Sequence, residues 1–319
     1  MGTQVAAIVP CHNEAMSVSA VVRGLQDAVP GITVYVYDNN STDDTAEVAK
    51  QAGAIVRTER ARGKGNVVRR AFADIEADIY VLIDGDDTYD AGRAGELIDL
   101  LRQGPYDHVT GVRRQLSETA YRPGHTIGNR VFNALVGMIF RTRVSDMLSG
   151  YRVFSRRFVK SFPALSRGFE IETELTVHAL NLRVPQAEAD VGFTDRADGS
   201  QSKLRTYHDG WRILWLILGL TRHERPLLYH GLIAFALVAA SLALGLPVVA
   251  EFAATGTVPR LPTAILASSL MILALLLLTT GFILDGLRRT RRESTRLSYL
   301  ALPCHAHSPT WRSAAGNNP

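Results

Sequence analysis

From Val5 to about residue 110, short β-branched runs alternate with stretches whose apolar residues recur every three or four positions. Val5–Val9, Thr33–Tyr37, Ala54–Arg57 and Ile79–Ile83 have the length and branching of strands, and Pro, Gly, Asn or Asp bounds each. Ala15–Ala28, Thr42–Gln51 and Asn66–Ala73 carry helical spacing. Ser41 or Thr42 is placed to cap the second of these helices, with Asp43 and Asp44 in its positively polarised first turn. Such alternation predicts an α/β domain built on a mostly parallel sheet with helices on both faces. Ligands in such domains bind beyond the carboxyl ends of the strands. Every polar cluster in this half follows a strand: Pro10–Glu14, Asp38–Thr45, Arg60–Gly65 and Asp84–Asp87.

At Leu227 the pattern changes. Leu227–Val249 and Leu261–Leu284 contain no Asp, Glu, Lys or Arg, and each is long enough to cross about 30 Å of hydrocarbon. Arg222, His223, Glu224 and Arg225 precede the first stretch; Arg288, Arg289, Arg291 and Arg292 follow the second; only Glu251 and Arg260 lie between. That bias predicts a two-helix transmembrane hairpin with both ends in the cytosol. Tyr207–Leu220, with Trp211 and Trp215, suits either an interfacial helix or one packed on the soluble domain. The expected organisation is a soluble domain over 1–205, an amphipathic helix over 206–225, the hairpin over 226–286 and a basic, disordered cytoplasmic tail over 287–319.

Composition adds exclusions. The net charge of +4 is too modest for nucleic acid, and no basic patch interleaved with aromatics exists; the basic residues flank the apolar stretches, where they suit a membrane surface. Cys11 and Cys304 lie too far apart in dissimilar contexts to suggest a disulfide, so a reducing cytosol is expected. With no His or carboxylate array to activate it, Cys11 reads as a small loop residue. The opening MGTQVAAIVPCHNE has neither a charged n-region nor a long apolar one, and Ala6 stands where a myristoylation signal needs Ser or Thr.

Candidate chemistry begins at the fourth strand. Ile79–Ile83 runs into Asp84-Gly85-Asp86-Asp87. Carboxylates two apart at a strand exit can both point into the crevice if the chain turns there, and Gly85 is expected to allow it. Asp84 and Asp86 can then hold Mg2+ or Mn2+ while leaving positions for substrate phosphates. A divalent ion on a diphosphate neutralises the charge that builds on a leaving group.

The ordered set Val9-Pro-Cys-His-Asn-Glu14, Asp38-Asn-Asn-Ser-Thr-Asp-Asp-Thr45, Gly63-Lys-Gly65, Asp84-Gly-Asp86, Ser149-Gly-Tyr-Arg152, Gly168-Phe-Glu-Ile-Glu-Thr-Glu174 and Arg196-Ala-Asp-Gly-Ser-Gln-Ser-Lys203 resembles family 2 of the inverting glycosyltransferases. The resemblance covers roughly residues 4–205 and is greatest to the polyprenol-phosphate branch, the dolichol-phosphate mannose and glucose synthases and the undecaprenyl-phosphate sugar transferases. It implies a GT-A nucleotide-sugar fold, a hexose donated by a nucleotide diphosphate, and a lipid phosphate acceptor. Carried over residue by residue, Pro10, Asn13, Glu14 and Asp38 would line the nucleoside pocket, with Lys64 and Gly85 beside the donor. Asp84 and Asp86 would bind the metal, and Arg196, Ser202 and Lys203 would close over the diphosphate. Two departures bear on the donor: Asn39 and Asn40 replace the usual Asp-Gly after Asp38, and Thr88 stands where the mannose synthases have Gln. UDP-glucose or UDP-N-acetylglucosamine is favoured, with GDP-mannose open.

An alcohol acceptor needs a base, whereas a phosphate monoester with a second pKa near 6 is already largely dianionic at pH 7. Its transferase needs fixed cations. Arg113, Arg114 and Arg130, followed by the apolar run Val131–Phe140, supply them beside a lipid-compatible surface. In the resembling family this region binds the acceptor phosphate, so Arg113 and Arg130 are the chosen pair. Ser149, Tyr151 and Arg152 fall in a motif at the acceptor end, although Ser149 and Gly150 equally suit a plain turn. Glu172 and Glu174 occupy the family's acidic or amide positions, one of them organising the arginines. Asp146 would orient Arg152, or act as base for an alcohol acceptor. His178 reads as a core or surface histidine. The partners implied are a nucleotide-diphosphate sugar, a polyprenyl phosphate and the bilayer, with homo-oligomerisation open. Rival readings are an alcohol-accepting transferase, a processive synthase and a non-catalytic nucleotide-sugar-binding membrane protein; Gly210-Trp-Arg-Ile does not match the processive enzymes' Gln-x-x-Arg-Trp.

Overall fold

The computed structural model of the chain describes residues 3–115, 145–168, 170–194, 222 and 225–303. The chain divides into two compact units, Met1–Leu204 together with Ser294–Pro319, and Arg205–Glu293.

In the first unit the expected alternation forms. Strands β1 (Val5–Cys11), β2 (Thr33–Asp38), β3 (Ile55–Thr58) and β4 (Ile79–Leu82) alternate with helices α1 (Val18–Ala28), α2 (Thr45–Gln51) and α3 (Lys64–Asp74). A short 3-10 turn, Ala91–Arg93, leads into α4 (Ala94–Gln103) and then β5 (His108–Gln115); β6 (Arg152–Ser155), α5 (Arg156–Ser161), α6 (Ile171–Leu182) and β7 (Gln186–Phe193) follow among the described residues. The seven described strands make one sheet in the order β3-β2-β1-β4-β6-β5-β7. It is parallel except at β6, which runs antiparallel to both β4 and β5.

Side-chain alternation along β1 explains the two layers. Val5, Ala7 and Val9 join Val21, Val22 and Leu25 of α1 and Leu97 and Leu101 of α4 in one core. Ala6 and Ile8, pointing the other way, pack with Val67, Ala71 and Phe72 of α3 and with Phe158, Ile171 and Leu175 of α5 and α6.

The second helix starts at Thr45, three residues later than expected. Its supposed caps instead fasten the β1 exit: Asn13 donates its N–H to Ser41 Oγ at 3.0 Å, Ala15 N to Asp43 Oδ2 at 3.2 Å and Glu14 N to Thr45 Oγ1 at 2.9 Å. These polar groups satisfy a neighbouring loop's backbone, and Asp43 alone also serves its own helix, its Oδ1 accepting from Thr45 N at 3.1 Å.

Two long apolar helices follow, α7 (Pro226–Thr255) and α8 (Leu261–Leu300), with mean hydropathy 2.5 and 2.4 in their most apolar windows, of which 17% and 11% is buried. Both are long and apolar enough to cross a membrane. Within the second unit, Ser241 Oγ donates to the Ala267 carbonyl at 2.8 Å, and Glu251 pairs with Arg260 at 3.1 Å beside the turn. Gly281 lies against His230, where small residues permit close helix contact.

The expectation of a disordered tail over 287–319 is corrected as far as Leu300. Helix α8 continues to that residue, and Tyr299, 4% exposed, belongs to the α3/α5/α6 core of the first unit. Its hydroxyl donates to Asp107 Oδ2 at 2.6 Å, its ring lies under the Arg157 guanidinium at 4.6 Å, and Arg296 donates to the Leu182 carbonyl. A polar, arginine-rich stretch reads as solvated, but one aromatic residue with a partnered hydroxyl is enough to dock it. Residues from Cys304 onward lie outside the described residues, as does most of the anticipated 206–225 helix.

Candidate functional site

The sheet order places the exits of β2, β1 and β4 side by side, which gathers Asp38–Asn40, Pro10–Glu14 and Asp84–Asp86 at one edge. Cys11 and Asp38 are register partners at the ends of their strands. The Asp38 carboxylate accepts from Ser41 N at 3.1 Å. Asn13 adopts a left-handed backbone (φ 58°), and its side-chain oxygen accepts from Thr42 N at 2.8 Å.

Gly85 serves a different purpose from the one expected. Its φ is not in the left-handed region; Asp87 carries that conformation (φ 56°). A Cβ at Gly85 would stand 2.4 Å from Cys11 Sγ, so glycine is required by contact rather than by the turn. Cys11 is correspondingly the last residue of β1 and buried, not a loop residue. Burial raises its thiol pKa well above the usual value, and the charges of Glu14, Asp84, Asp38 and Asp86 push it further up. Burial of this kind keeps the thiol protonated and disfavours a nucleophilic role.

Asp86 accepts from the Thr88 hydroxyl at 2.7 Å. Asp84 accepts from Lys64 Nζ, which also contacts Glu172 Oε1 of α6 at 2.6 Å. A Cβ at Gly150 would stand 2.2 Å from Asp84 Oδ2, so this position, which the sequence left as part of a turn, requires glycine by contact. Its N–H donates to the Tyr89 hydroxyl at 2.8 Å. Gly63 and Gly65 have a comparable reason: a Cβ on either would collide with the carbonyl oxygen of Arg167 or Ser166, at 2.2 and 2.3 Å. Burial alone would lower the Lys64 pKa, but the charges of Asp84 and Glu172 outweigh it and raise it, so the ammonium is permanent. Fully buried Glu172 shares that ammonium with Asp84, and burial raises its pKa.

On the acceptor side, Arg113 of β5 holds Asp146 through two bonds of 2.7 Å, while the Arg113 guanidinium lies 5.5 Å from the Phe193 ring centroid. Asp146 therefore orients Arg113 and not Arg152. Ser149, Tyr151 and Arg152 have no exposed surface. The Arg152 guanidinium donates to the carbonyls of Ser149 (2.8 Å) and Met147 (2.6 Å) and to Thr176 Oγ1 (2.8 Å), so the three act as scaffold and offer no surface to a ligand. Neither acidic residue of α6 organises an arginine among the described residues: Glu172 faces Lys64, and Glu174 accepts from Leu165 N and Ser166 N at 2.9 and 2.8 Å. Arg114 pairs with Asp190 on the surface. Arg130, Arg196, Ser202 and Lys203 lie outside the described residues.

A divalent cation fits the donor set on one side only. Asp86 offers a partly exposed carboxylate to a hard cation, while one Asp84 oxygen is engaged by Lys64. Among the described residues no group of three or more His, Cys, Asp or Glu is placed to hold a metal. A cation held by Asp86 would therefore need phosphate oxygens and water to complete its coordination sphere.

The family model described as Glycosyl transferase family 2 matches residues 6–162. Glycosyltransferase AglJ of Haloferax volcanii is 32% identical over 92% of this chain and 96% of its own length. An uncharacterized protein of Shigella flexneri is 51% identical over 49% of this chain and 95% of its own length. Glucosyl-3-phosphoglycerate synthase from Mycobacterium tuberculosis, solved with Mn2+, UDP-glucose and glycerol 3-phosphate, superposes with a TM-score of 0.55 at 24% identity, covering 69% of this chain and 79% of that one, and shows the shared fold.

Proposed function

Because the chain belongs to glycosyl transferase family 2, we propose that it moves one hexose from a nucleotide-diphosphate sugar to a polyprenyl phosphate, with inversion, at the cytoplasmic face of a membrane. The observation that carries the lipid acceptor is the pair of helices Pro226–Thr255 and Leu261–Leu300, apolar along most of their length and scarcely buried. Such helices would hold the crevice at the depth where a lipid-borne phosphate lies.

The occupied carboxylate of Asp146 favours a phosphate over an alcohol. Both of its oxygens are taken by Arg113, which leaves this residue poorly placed to remove a hydroxyl proton. Arg113, fixed in this way, serves as the rigid cation that holds an already ionised acceptor oxygen, with Arg130 as its partner. The attacking phosphate oxygen approaches the anomeric carbon from the face opposite the departing nucleotide.

Pro10, Asn13, Glu14 and Asp38 line the nucleoside side, at the exits of β1 and β2. Asp86, with Thr88 beside it and Asp84 behind, would hold Mg2+ or Mn2+ against the diphosphate. The ion supplies charge neutralisation on the leaving group. Arg196, Ser202 and Lys203 complete the cover by family motif. A UDP-sugar, glucose or N-acetylglucosamine, is favoured over GDP-mannose; the fold relative solved with UDP-glucose and Mn2+ supports that choice.

The test is transfer of radiolabelled sugar in detergent, with undecaprenyl or dolichyl phosphate, Mg2+ or Mn2+, and separate UDP- and GDP-sugars. Label entering the lipid phase from one donor, and absent with Asp86→Ala, is the expected result. Transfer only to a water-soluble alcohol would overturn the acceptor.

A further inference from the structure

We infer that Lys64 is a positioning residue that touches no substrate: it clamps Asp84 on the donor side to Glu172 on α6 and so fixes where the Asp84 carboxylate stands. The inference rests on the donor site proposed above and adds a member that the metal and nucleotide roles do not require.

The Lys64 side chain is 6% exposed, with its ammonium between Asp84 Oδ1 and Glu172 Oε1. Its backbone is equally fixed. Gly63 and Gly65 press against the Arg167 and Ser166 carbonyls, and Gly65 N and Asn66 N donate to Gly168 O and Arg167 O at 3.1 and 3.3 Å. Gly150 closes on the second Asp84 oxygen, since a Cβ there would meet both Asp84 Oδ2 (2.2 Å) and Lys64 Nζ (3.0 Å). Segments far apart in sequence thus converge on one carboxylate: the Gly-Lys-Gly turn, the β4 exit, the Ser-Gly-Tyr turn and the start of α6.

A lysine that reached for a diphosphate would have to leave Glu172, which is fully buried, without a counter-charge. Uncompensated buried charge is among the costliest changes a core can suffer. A compact ammonium on a flexible stem can reach two carboxylates in so small a space; a planar guanidinium is badly shaped for it.

Four full-length proteins in detergent test the clamp: wild type, Lys64→Met, Glu172→Gln and the double variant. Two quantities are read on each, the thermal midpoint and the affinity for UDP with Mn2+ by titration calorimetry. Lys64→Met should lose both thermal midpoint and about tenfold or more in nucleotide affinity. The double variant, freed of the unpaired Glu172 charge, should recover most of the midpoint and little of the affinity. Glu172→Gln alone should weaken nucleotide binding several-fold, because Lys64 and Asp84 lose their third corner. Recovery of both quantities in the double variant would make Lys64 purely structural. Tighter nucleotide binding in Glu172→Gln would mean that Lys64 reaches the phosphates directly. Either result overturns the clamp. If wild type bound neither UDP nor GDP, the donor site itself would fall. Coupled midpoint losses at Lys64 and Glu172 would then show a structural ion pair only, and the positioning role would fall with the site.

Discussion

Arg113 and Asp146 form a bidentate pair, Nε to Oδ2 and Nη2 to Oδ1, both at 2.7 Å, with the carboxylate side chain 6% exposed. A carboxylate so held orients a cation; it is not presented to a substrate. Asp146→Asn should therefore slow transfer by about 10- to 100-fold, the loss expected for weakening one charge-assisted pair, with the effect mainly on the acceptor KM. Initial rates against lipid phosphate concentration check this. A collapse of kcat with unchanged acceptor KM and an altered pH profile would instead identify Asp146 as a base.

Gly85 and Cys11 should be coupled. Gly85→Ala drives a methyl group to 2.4 Å from Cys11 Sγ and should cost about 1–3 kcal/mol, the usual range for overpacking a tight core. Adding Cys11→Ala removes that sulfur and should restore a substantial part of the thermal midpoint. Additive losses in the double variant would show that the clash lies elsewhere, for instance with Pro10 O at 3.3 Å.

His178 gives the first unit an acid-sensitive core. It packs edge-on against Phe158 and Phe162 and contacts Ser161 Oγ at 3.1 Å; burial lowers its pKa to about 4. An unfolded histidine titrates near 6.5, so between about 6.5 and 4 the unfolded chain binds a proton that the folded chain refuses. Stability should fall through that window as pH drops, by about 3 kcal/mol in all, and level off below it. Thermal midpoints from pH 8 to 4 should show this decline, and His178→Leu should flatten it. Some slope should survive, because burial and Arg152 push His108 in the same direction.

Tyr299 should matter to a domain whose other described elements end more than a hundred residues earlier. Tyr299→Ala should destabilise the first unit by about 3–5 kcal/mol, as expected for emptying a buried aromatic site. Tyr299→Phe should cost about 1–2 kcal/mol, since Asp107 keeps Ser155 and Arg157 as partners. Hydrogen exchange in α5 and α6 would register both changes, and unchanged protection in Tyr299→Ala would refute the docking.

Strand and helix periodicity made the first four strands legible, because each is a short β-branched run closed by a turn residue. Asp84 and Asp86 were equally visible, since a strand exit followed by paired carboxylates is a local pattern. Contacts between distant segments were not. The departures at Asn39 and Asn40 look in sequence like changes in nucleotide preference, but in the fold they are structural. Asn39 donates to Glu59 O and Ala61 O at 2.8 and 2.9 Å and accepts from Gly63 N at 2.7 Å, a combination no carboxylate can supply. Asn40 takes a left-handed φ of 63° where the family has glycine, as asparagine readily does. The glycines at 63, 65, 85 and 150 were visible in their motifs, but the reason for each was not, because each answers to an atom far away in sequence.

The docked helix end bears on how the chain is threaded. Tyr299 lies in the same folded body as Val5–Phe193, so the polypeptide leaves that body before Pro226 and re-enters it after Glu293. A chain that passes through a bilayer and returns to its starting body has passed through an even number of times, whatever the charges of its loops. Two crossings satisfy that parity and one cannot. If the helices span the membrane, the docked Tyr299 puts both ends of the hairpin on one side, and the arginines at 288, 289, 291 and 292 bias that side toward the cytosol.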